Sequence, residues 1–552
     1  RFFIREALPG QVFGDAIASD KGKAYRAEQP DFQPTFHCIK LVIQCTHFYP
    51  IFAGNRSTPM RILLTVLFLS LCCSLEAQKV FDFNATCQEA YHDILSLKID
   101  TGERLLAIEK KVHPNNLIPY FLENYVDFLV LVLNEDQAEY ARRIGHRDER
   151  LELMTEGPED SPFYGFTRSV INFQWAAIEI KFGGKISAGW AVRKSFLQIK
   201  ENQKRFPAFT PNLMIYGAMQ TVMGVVPDGY KWFTNMMGMK GTVKGGMAMV
   251  SSFIGNNDPW ANLFKDEGIF YYTYLKANIL NQYDDLFRFI EQRKLDTVNN
   301  LLFAYMVANQ ALNNHRSAIT EAIIRGRNMS PEYMSTPVWD MEMGYARLNH
   351  LQKDANIYLE RFLAAFKGSF LVKDVLQKLS WYYYLEGNMP MANKYRSWVL
   401  SKGSANMETD KNAMRDAQLG QWPNKSLLQA RLLNDGGYDK EALEKLEGKS
   451  SSDFSTDVDK LEFSYRLGRI YDDLGREEEA LKAYLVAIKI GENRREYFAA
   501  RAAWQIGLIY EREGNKPMAI AFYQRCIDMP DHEYKNSMDE RAKSGIARCK
   551  GS

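Results

Sequence analysis

Histidine and cysteine are the residues of this 552-residue chain best suited to metal or nucleophile chemistry, and there are eight of one and seven of the other. His37, Cys38, Cys45 and His47 have the donor types of a zinc site, but no helical or strand periodicity frames them, and no metal centre is expected. His92, His113, His146, His315, His350 and His532 are scattered; none forms HExxH or stands beside Cys or Asp at ligand spacing. No GxSxG nucleophile elbow occurs. The run Met236-Met237-Gly238-Met239-Lys240-Gly241-Thr242-Val243-Lys244-Gly245-Gly246-Met247-Ala248-Met249 offers glycine and lysine for a phosphate. It lacks the order of Gly, Lys and Ser or Thr that a P-loop requires. Its first reading is two helices packed closely on glycine with methionine filling the gaps. The second is a soft surface, Met236 and Met239 included, that meets an apolar partner or touches a membrane. No catalytic residue and no cofactor is expected, and the chain is expected not to be an enzyme. A helical binder of a small ligand or carbohydrate, or an enzyme whose site is assembled from distant residues, are the alternatives.

Aromatic residues carry the other candidate chemistry, which is contact with a partner. Trp381-Tyr382-Tyr383-Tyr384 cannot bury all four rings on one helical face. Tyr383 holds a packing position, leaving Trp381 and Tyr384 as candidate partner contacts. Phe270, Tyr271, Tyr272 and Tyr274 invite the same argument.

The elements that position these groups read as helices throughout. From Gln78 onward apolar residues recur at helical spacing, broken every 12 to 20 residues by short polar or Gly/Pro-bearing turns. Expected helices include 80–110, 136–154, 210–225 and 260–280. Near the C-terminus a pattern repeats: Leu467-Gly468, Tyr471, Gly475, Ala480, Tyr484, Ala487, then Ile506-Gly507, Tyr510, Gly514, Ala519, Tyr523, Cys526. Weaker copies are Leu379, Tyr383, Gly387, Ala392 and Ala430, Leu433, Gly437, Ala442. In each copy a turn glycine stands five residues before a small alanine. Gly468 and Gly507 would let paired helices approach, and Gly475 and Gly514 would end the first helix.

These spacings resemble the tetratricopeptide repeat, with two good copies over about 461–494 and 500–533 and degenerate ones before them. Ser464 and Ala503 stand where the family has a large aromatic. The resemblance implies an all-α, right-handed solenoid of helical hairpins. Repeats would occupy 371–533, a capping helix 534–549, and a divergent helical-hairpin domain 78–370. It implies a protein or peptide partner held on the concave face. Phe209-Thr210-Pro211, Pro227, Tyr230, Trp232, Gly238, Gly245 and Gly246 resemble the tetratricopeptide-39 and Iml2-like proteins.

Met60-Arg61, the apolar run Ile62–Cys73 and Ala77 before Gln78 have the form of a secretory signal over 60–77. Residues 1–59 are then expected to be non-native upstream translation. Lipidation at Cys72 or Cys73 is the alternative route. With the Ala77-Gln78 junction, the part from Gln78 onward resembles an exported tetratricopeptide protein of Bacteroidota, and the expected location is the periplasm or the periplasmic face of the outer membrane. An envelope assembly or secretion complex is the expected partner, with peripheral membrane association possible. Formal net charge is +2, from 69 basic and 67 acidic side chains, and no nucleic acid is expected. Beyond the signal only Cys87, Cys526 and Cys549 remain, too few for a disulfide framework; Cys526 and Cys549 either pair or are buried apolar residues.

Overall fold

Amphipathic segments this short cannot bury an apolar stripe alone, so each folds back on its neighbour. The computed structural model describes residues 78–226, 234, 237–280 and 282–550. The first helices are α1 (Ala85–Leu95), α2 (Ile99–Val112), α3 (Ile118–Asn134), α4 (Gln137–Arg143), α5 (His146–Thr155), α6 (Pro162–Lys181), α7 (Lys185–Arg205), α8 (Pro211–Gly224) and α9 (Val243–Gly255). Next come α10 (Pro259–Leu263), α11 (Lys265–Leu275), α12 (Tyr283–Arg293), α13 (Leu301–Asn313), α14 (Ser317–Gly326), α15 (Val338–Asn349), α16 (Ala355–Ala365), α17 (Val372–Leu385), α18 (Met389–Ser401) and α19 (Glu408–Leu419). The last are α20 (Lys425–Gly436), α21 (Asp439–Glu444), α22 (Asp457–Asp473), α23 (Glu477–Gly491), α24 (Phe498–Arg512), α25 (Lys516–Asp528) and α26 (Lys535–Lys550). Among the described residues the one β pairing is an isolated bridge between Val80 and Asn116.

Three expected helices are interrupted. Leu97, at φ 67, splits 80–110 into α1 and α2. Gly145 separates α4 from α5, and Phe264 separates α10 from α11, which runs on into a π-helical turn over Lys276–Leu280. Apolar spacing continued across all three breaks, so periodicity alone gave no sign of them.

The four turn glycines do what their spacing suggests. Gly387, Gly437, Gly475 and Gly514 have φ of 77, 81, 73 and 77°, the left-handed region that glycine enters at little cost. In each turn the next residue (Asn388, Tyr438, Arg476, Asn515) donates its N–H to the carbonyl five residues back, which closes the first helix. Asn388 and Asn515 then cap the second helix through the N–H groups of Met391 and Met518. Ala392, Ala442, Ala480 and Ala519 are fully buried. At the crossings Tyr484 lies on Gly468, and Tyr523 lies between Gly507 and Gly545 of α26. Glycine plays the same part between α8 and α9, where Gly246 meets the backbone of Gly217 and Thr221, and Gly241 meets Gln220. From Gly241 to Gly246 the run is therefore a helix crossing, as its first reading has it. Cys526 and Cys549, on α25 and α26, are both buried and both free.

A single large core runs from Phe83 to Met343, and smaller clusters follow it. Inside it Glu267 of α11 accepts hydrogen bonds from three tyrosines: Tyr91 and Tyr125 at 2.7 and 3.0 Å on Oε2, and Tyr271 at 3.1 Å on Oε1. Burial pushes this carboxyl up to about 7 against the pull of the three hydroxyls. Beside it a cavity of about 30 Å³, lined by Tyr125, Phe128, Gln174 and Tyr305, has room for one or two waters. The α13–α14 turn joins this core to the repeats. His315, at φ 58, donates through Nδ1 to the carbonyl of Asn434 at 2.6 Å, and a Cβ on Gly437 would meet its carbonyl oxygen at 1.9 Å.

Two predictions follow from these contacts. Gly507→Ala forces a methyl into a ring pinned from both sides and is expected to cost about 2 kcal/mol. Gly514→Ala, with open space around it, costs about 1 kcal/mol through backbone strain alone; urea unfolding of both variants checks the order. Between pH 4.5 and 7 folded Glu267 keeps a proton that the unfolded chain has lost, so stability falls as pH rises through that window. Glu342 and Asp410, pushed up to about 7 by burial, add to the same fall. Glu267→Gln should therefore lose about 3 kcal/mol less than the parent between pH 4.5 and 7.5, as read from urea midpoints.

Candidate functional site

Which face of the repeats is concave follows from which helices touch. The first helices of successive hairpins are direct neighbours, α20 with α22, α22 with α24 and α24 with α26. The second helices α23 and α25 have no comparable contact. A stack closed up on one side and splayed on the other bends with its first helices inward.

The inward face carries a ladder of charge. Lys378 faces Asp374 at 3.8 Å on α17, and Arg431 faces Asp435 at 3.7 Å on α20. On α22 Arg466 holds Glu462 at 2.9 Å and Arg469 holds Asp473 at 3.0 Å. Each pair is one helical turn apart, so each rung is internal to its helix. Coupling between helices comes from the cations. Trp381 of α17 is covered by Lys378, 4.1 Å from its ring centre, and by Arg431 of α20, 4.9 Å away. Burial acts to raise the Asp435 carboxyl, but Arg431 and Arg466 outweigh it and hold the group below its ordinary value. Burial lowers the Lys378 ammonium, partly offset by Asp374.

Two further contacts frame this surface. Asn434 donates to Asp439 at 2.7 Å and to Asp473 at 2.8 Å, and Arg469 reaches His315 Nε2 at 3.4 Å, so the last rung also anchors the α13–α14 turn. Arg415 of α19 spans to the approach to α26, donating to the Tyr534 hydroxyl at 2.9 Å with Glu533 at 3.6 Å. Tyr534 packs edge-on against Tyr497, at the start of α24.

The residues singled out in the sequence are placed as follows. Trp381 is on the inner face but only 6% exposed, because two cations lie over it; it supports the ladder from beneath. Tyr384, one turn further along the same helix, stacks on Trp422 at 4.6 Å and donates to the carbonyl of Pro423 at 3.0 Å, with part of its ring open. Met239 is 1% exposed and belongs to the core, which corrects its reading as a surface contact. Met236 lies outside the described residues, as do Pro227, Tyr230, Trp232 and all of 1–77. Phe270, Tyr271 and Tyr274 are buried core residues. The ladder itself was missed in the sequence. Its signal was present: Arg466 and Arg469 flank Gly468, and a carboxylate stands four residues from each. Among the described residues no group of three or more His, Cys, Asp or Glu is arranged to hold a metal ion.

Asp435→Asn leaves Arg431 and Arg466 without the carboxylate between them. Since Asp435 is nearly half exposed, the expected loss is about 1 kcal/mol or less, larger in low salt than in 1 M salt. Its contribution is present above the ordinary carboxyl range and fades as pH falls through the lowered folded value. Urea midpoints at two salt concentrations test it.

The sequence model of the tetratricopeptide repeat matches residues 461–493 and 500–531. No curated protein matches the chain. Among solved structures, the crystal structure of the APC/C hetero-tetramer Cut9-Hcn1 aligns at 11% identity, over 87% of this chain and 99% of that one, with a TM-score of 0.20. The chain is thus an all-helical protein of repeated helical hairpins with a tetratricopeptide-like array at its C-terminal end.

Proposed function

We propose that the protein is a non-enzymatic scaffold whose C-terminal hairpins hold a segment of another protein on their inner face. The ladder of Lys378, Arg431, Arg466 and Arg469 is the observation that carries this reading. Every cation has a carboxylate on its own helix, so the surface presents both signs of charge in a fixed register that a segment of complementary charge can match. Trp381, lying under two of the cations, stiffens that surface. The cavity beside Glu267 has space for water but not for a sugar, and favours no small-ligand reading.

The location we propose is the periplasm or the periplasmic face of the outer membrane, with an envelope assembly or secretion complex as partner. Its support is the basic, apolar and small-residue order of 60–77. We also place the N-terminal half with the tetratricopeptide-39 and Iml2-like proteins. Phe209-Thr210-Pro211 leading into α8, and Gly245-Gly246 on the α8–α9 crossing, support that placement.

The test is a tagged capture from the native envelope with the parent protein and an Arg431→Glu/Arg469→Glu variant. One component recovered stoichiometrically by the parent, and reduced at least tenfold with the variant, is the expected outcome. Equal recovery by both would remove the inner face from the mechanism.

A further inference from the structure

Charge is distributed very unevenly over the N-terminal half, and helix α7 is the extreme. It carries Lys185, Arg193, Lys194, Lys200, Lys204 and Arg205 against the single acid Glu201. Its buried residues, Ala188, Ala191, Ser195, Phe196, Ile199 and Asn202, form the inward stripe. At about 100° per residue, Arg193, Lys194, Lys200, Lys204 and Arg205 all fall within about 80° of Trp190 on the opposite side. Ile186 and Trp190, one turn apart on that side, are 57% and 53% exposed. Trp190 is the most exposed tryptophan among the described residues.

The neighbouring surface extends the same character. Gly238 lies beside Leu197 of α7, its Cβ position 3.4 Å from Leu197 Cδ2, and Lys240 and Lys244 just beyond it are exposed. Among the described residues no carboxylate comes within 4.0 Å of Lys194, Lys200, Lys204, Lys240 or Lys244. The cations of the inner ladder are paired, whereas these, among the described residues, are not.

We propose that the outward face of α7, with Lys240 and Lys244, docks peripherally on an anionic lipid bilayer. A row of long cationic side chains flanking an exposed Trp–Ile pair matches what an acidic membrane surface offers. The indole and the aliphatic side chain enter the headgroup boundary, while the ammonium and guanidinium groups reach lipid phosphates. A second copy of the chain would bring like charge to like charge. A nucleic acid would use the cations but gains nothing from Ile186. No described helix is long and apolar enough to cross a membrane, so the contact is one of lying on the surface.

Co-sedimentation of the full chain with phosphatidylcholine vesicles, and with vesicles containing 30% phosphatidylglycerol, tests this. The apolar run Ile62–Cys73 is common to every variant and both vesicle types, so differences report on α7. Expected is binding at least tenfold tighter to the anionic vesicles in 0.1 M salt. Lys194→Glu/Lys204→Glu should remove that preference. Trp190→Ser should weaken vesicle binding several-fold while leaving binding of a single-stranded oligonucleotide unchanged. Circular dichroism confirms that each variant is folded; if one is not, Lys240→Glu/Lys244→Glu, off the helix face, takes its place. The proposal is overturned by equal affinity for the two vesicle types, by charge-reversed protein that keeps the preference, or by an oligonucleotide that binds as tightly as the vesicles and is equally sensitive to Trp190→Ser.

Discussion

The C-terminal array depends on a tyrosine ring resting on a glycine. A Cβ at Gly468 would stand 2.4 Å from Tyr484, and at Gly507 2.5 Å from Tyr523, so no larger residue allows the two helices of a hairpin this separation. The ring supplies the bulk that the glycine lacks, and the hairpin becomes a wedge of set thickness. These two wedges stack with their first helices adjacent, α22 against α24 and α24 against α26, and α22 also lies against α20, so that Arg466 acts on Asp435 across a helix boundary. On α22 the rungs at Arg466 and Arg469 flank Gly468, the residue on which the Tyr484 ring rests.

Features that repeat, or that need a special backbone, could be read from the residues. The turn glycines showed themselves because a left-handed residue followed by a small one at fixed distance has few other uses. The tight crossing of α8 and α9 showed itself through clustered glycine, a residue otherwise costly within helices. Breaks at Leu97 and Phe264 were invisible, because a leucine or phenylalanine at a helix junction looks the same as one inside a helix. The inner ladder went unseen for a different reason. Ion pairs one turn apart are common on solvated helices, so Arg466 and Arg469 about Gly468, each with a carboxylate four residues away, did not stand out. Trp381 stood out by its type, yet the cations that cover it come from a turn away and from another helix. His315 was passed over as one scattered histidine; its role comes from residues more than a hundred positions distant.

Bulk composition concealed the arrangement of charge more than any single residue did. A formal net charge of +2 describes a chain in which the inner face is closely balanced and α7 is heavily cationic. The two surfaces use the same residue types under opposite rules. Inside, each cation is neutralised locally and the aromatic ring is covered; on α7 Lys194, Lys200 and Lys204 have no carboxylate within salt-bridge distance among the described residues, and the ring is open. A scaffold that keeps one hand free while resting on a support needs two such surfaces that do not compete for the same ligand.

The three-tyrosine knot around Glu267 also bears on the order in which the chain can acquire its structure. Tyr91 and Tyr125 meet their acceptor across 176 and 142 residues, whereas Tyr484 meets Gly468 within one hairpin. Closing so long a loop carries an entropic cost that neighbouring hairpins do not meet, and folding slows as mean sequence separation of contacts grows. The hydroxyls of α1 and α3 find this acceptor only once α11 is in place. The N-terminal half is therefore tied together by contacts distant in sequence, while the C-terminal hairpins are held by contacts local to each hairpin.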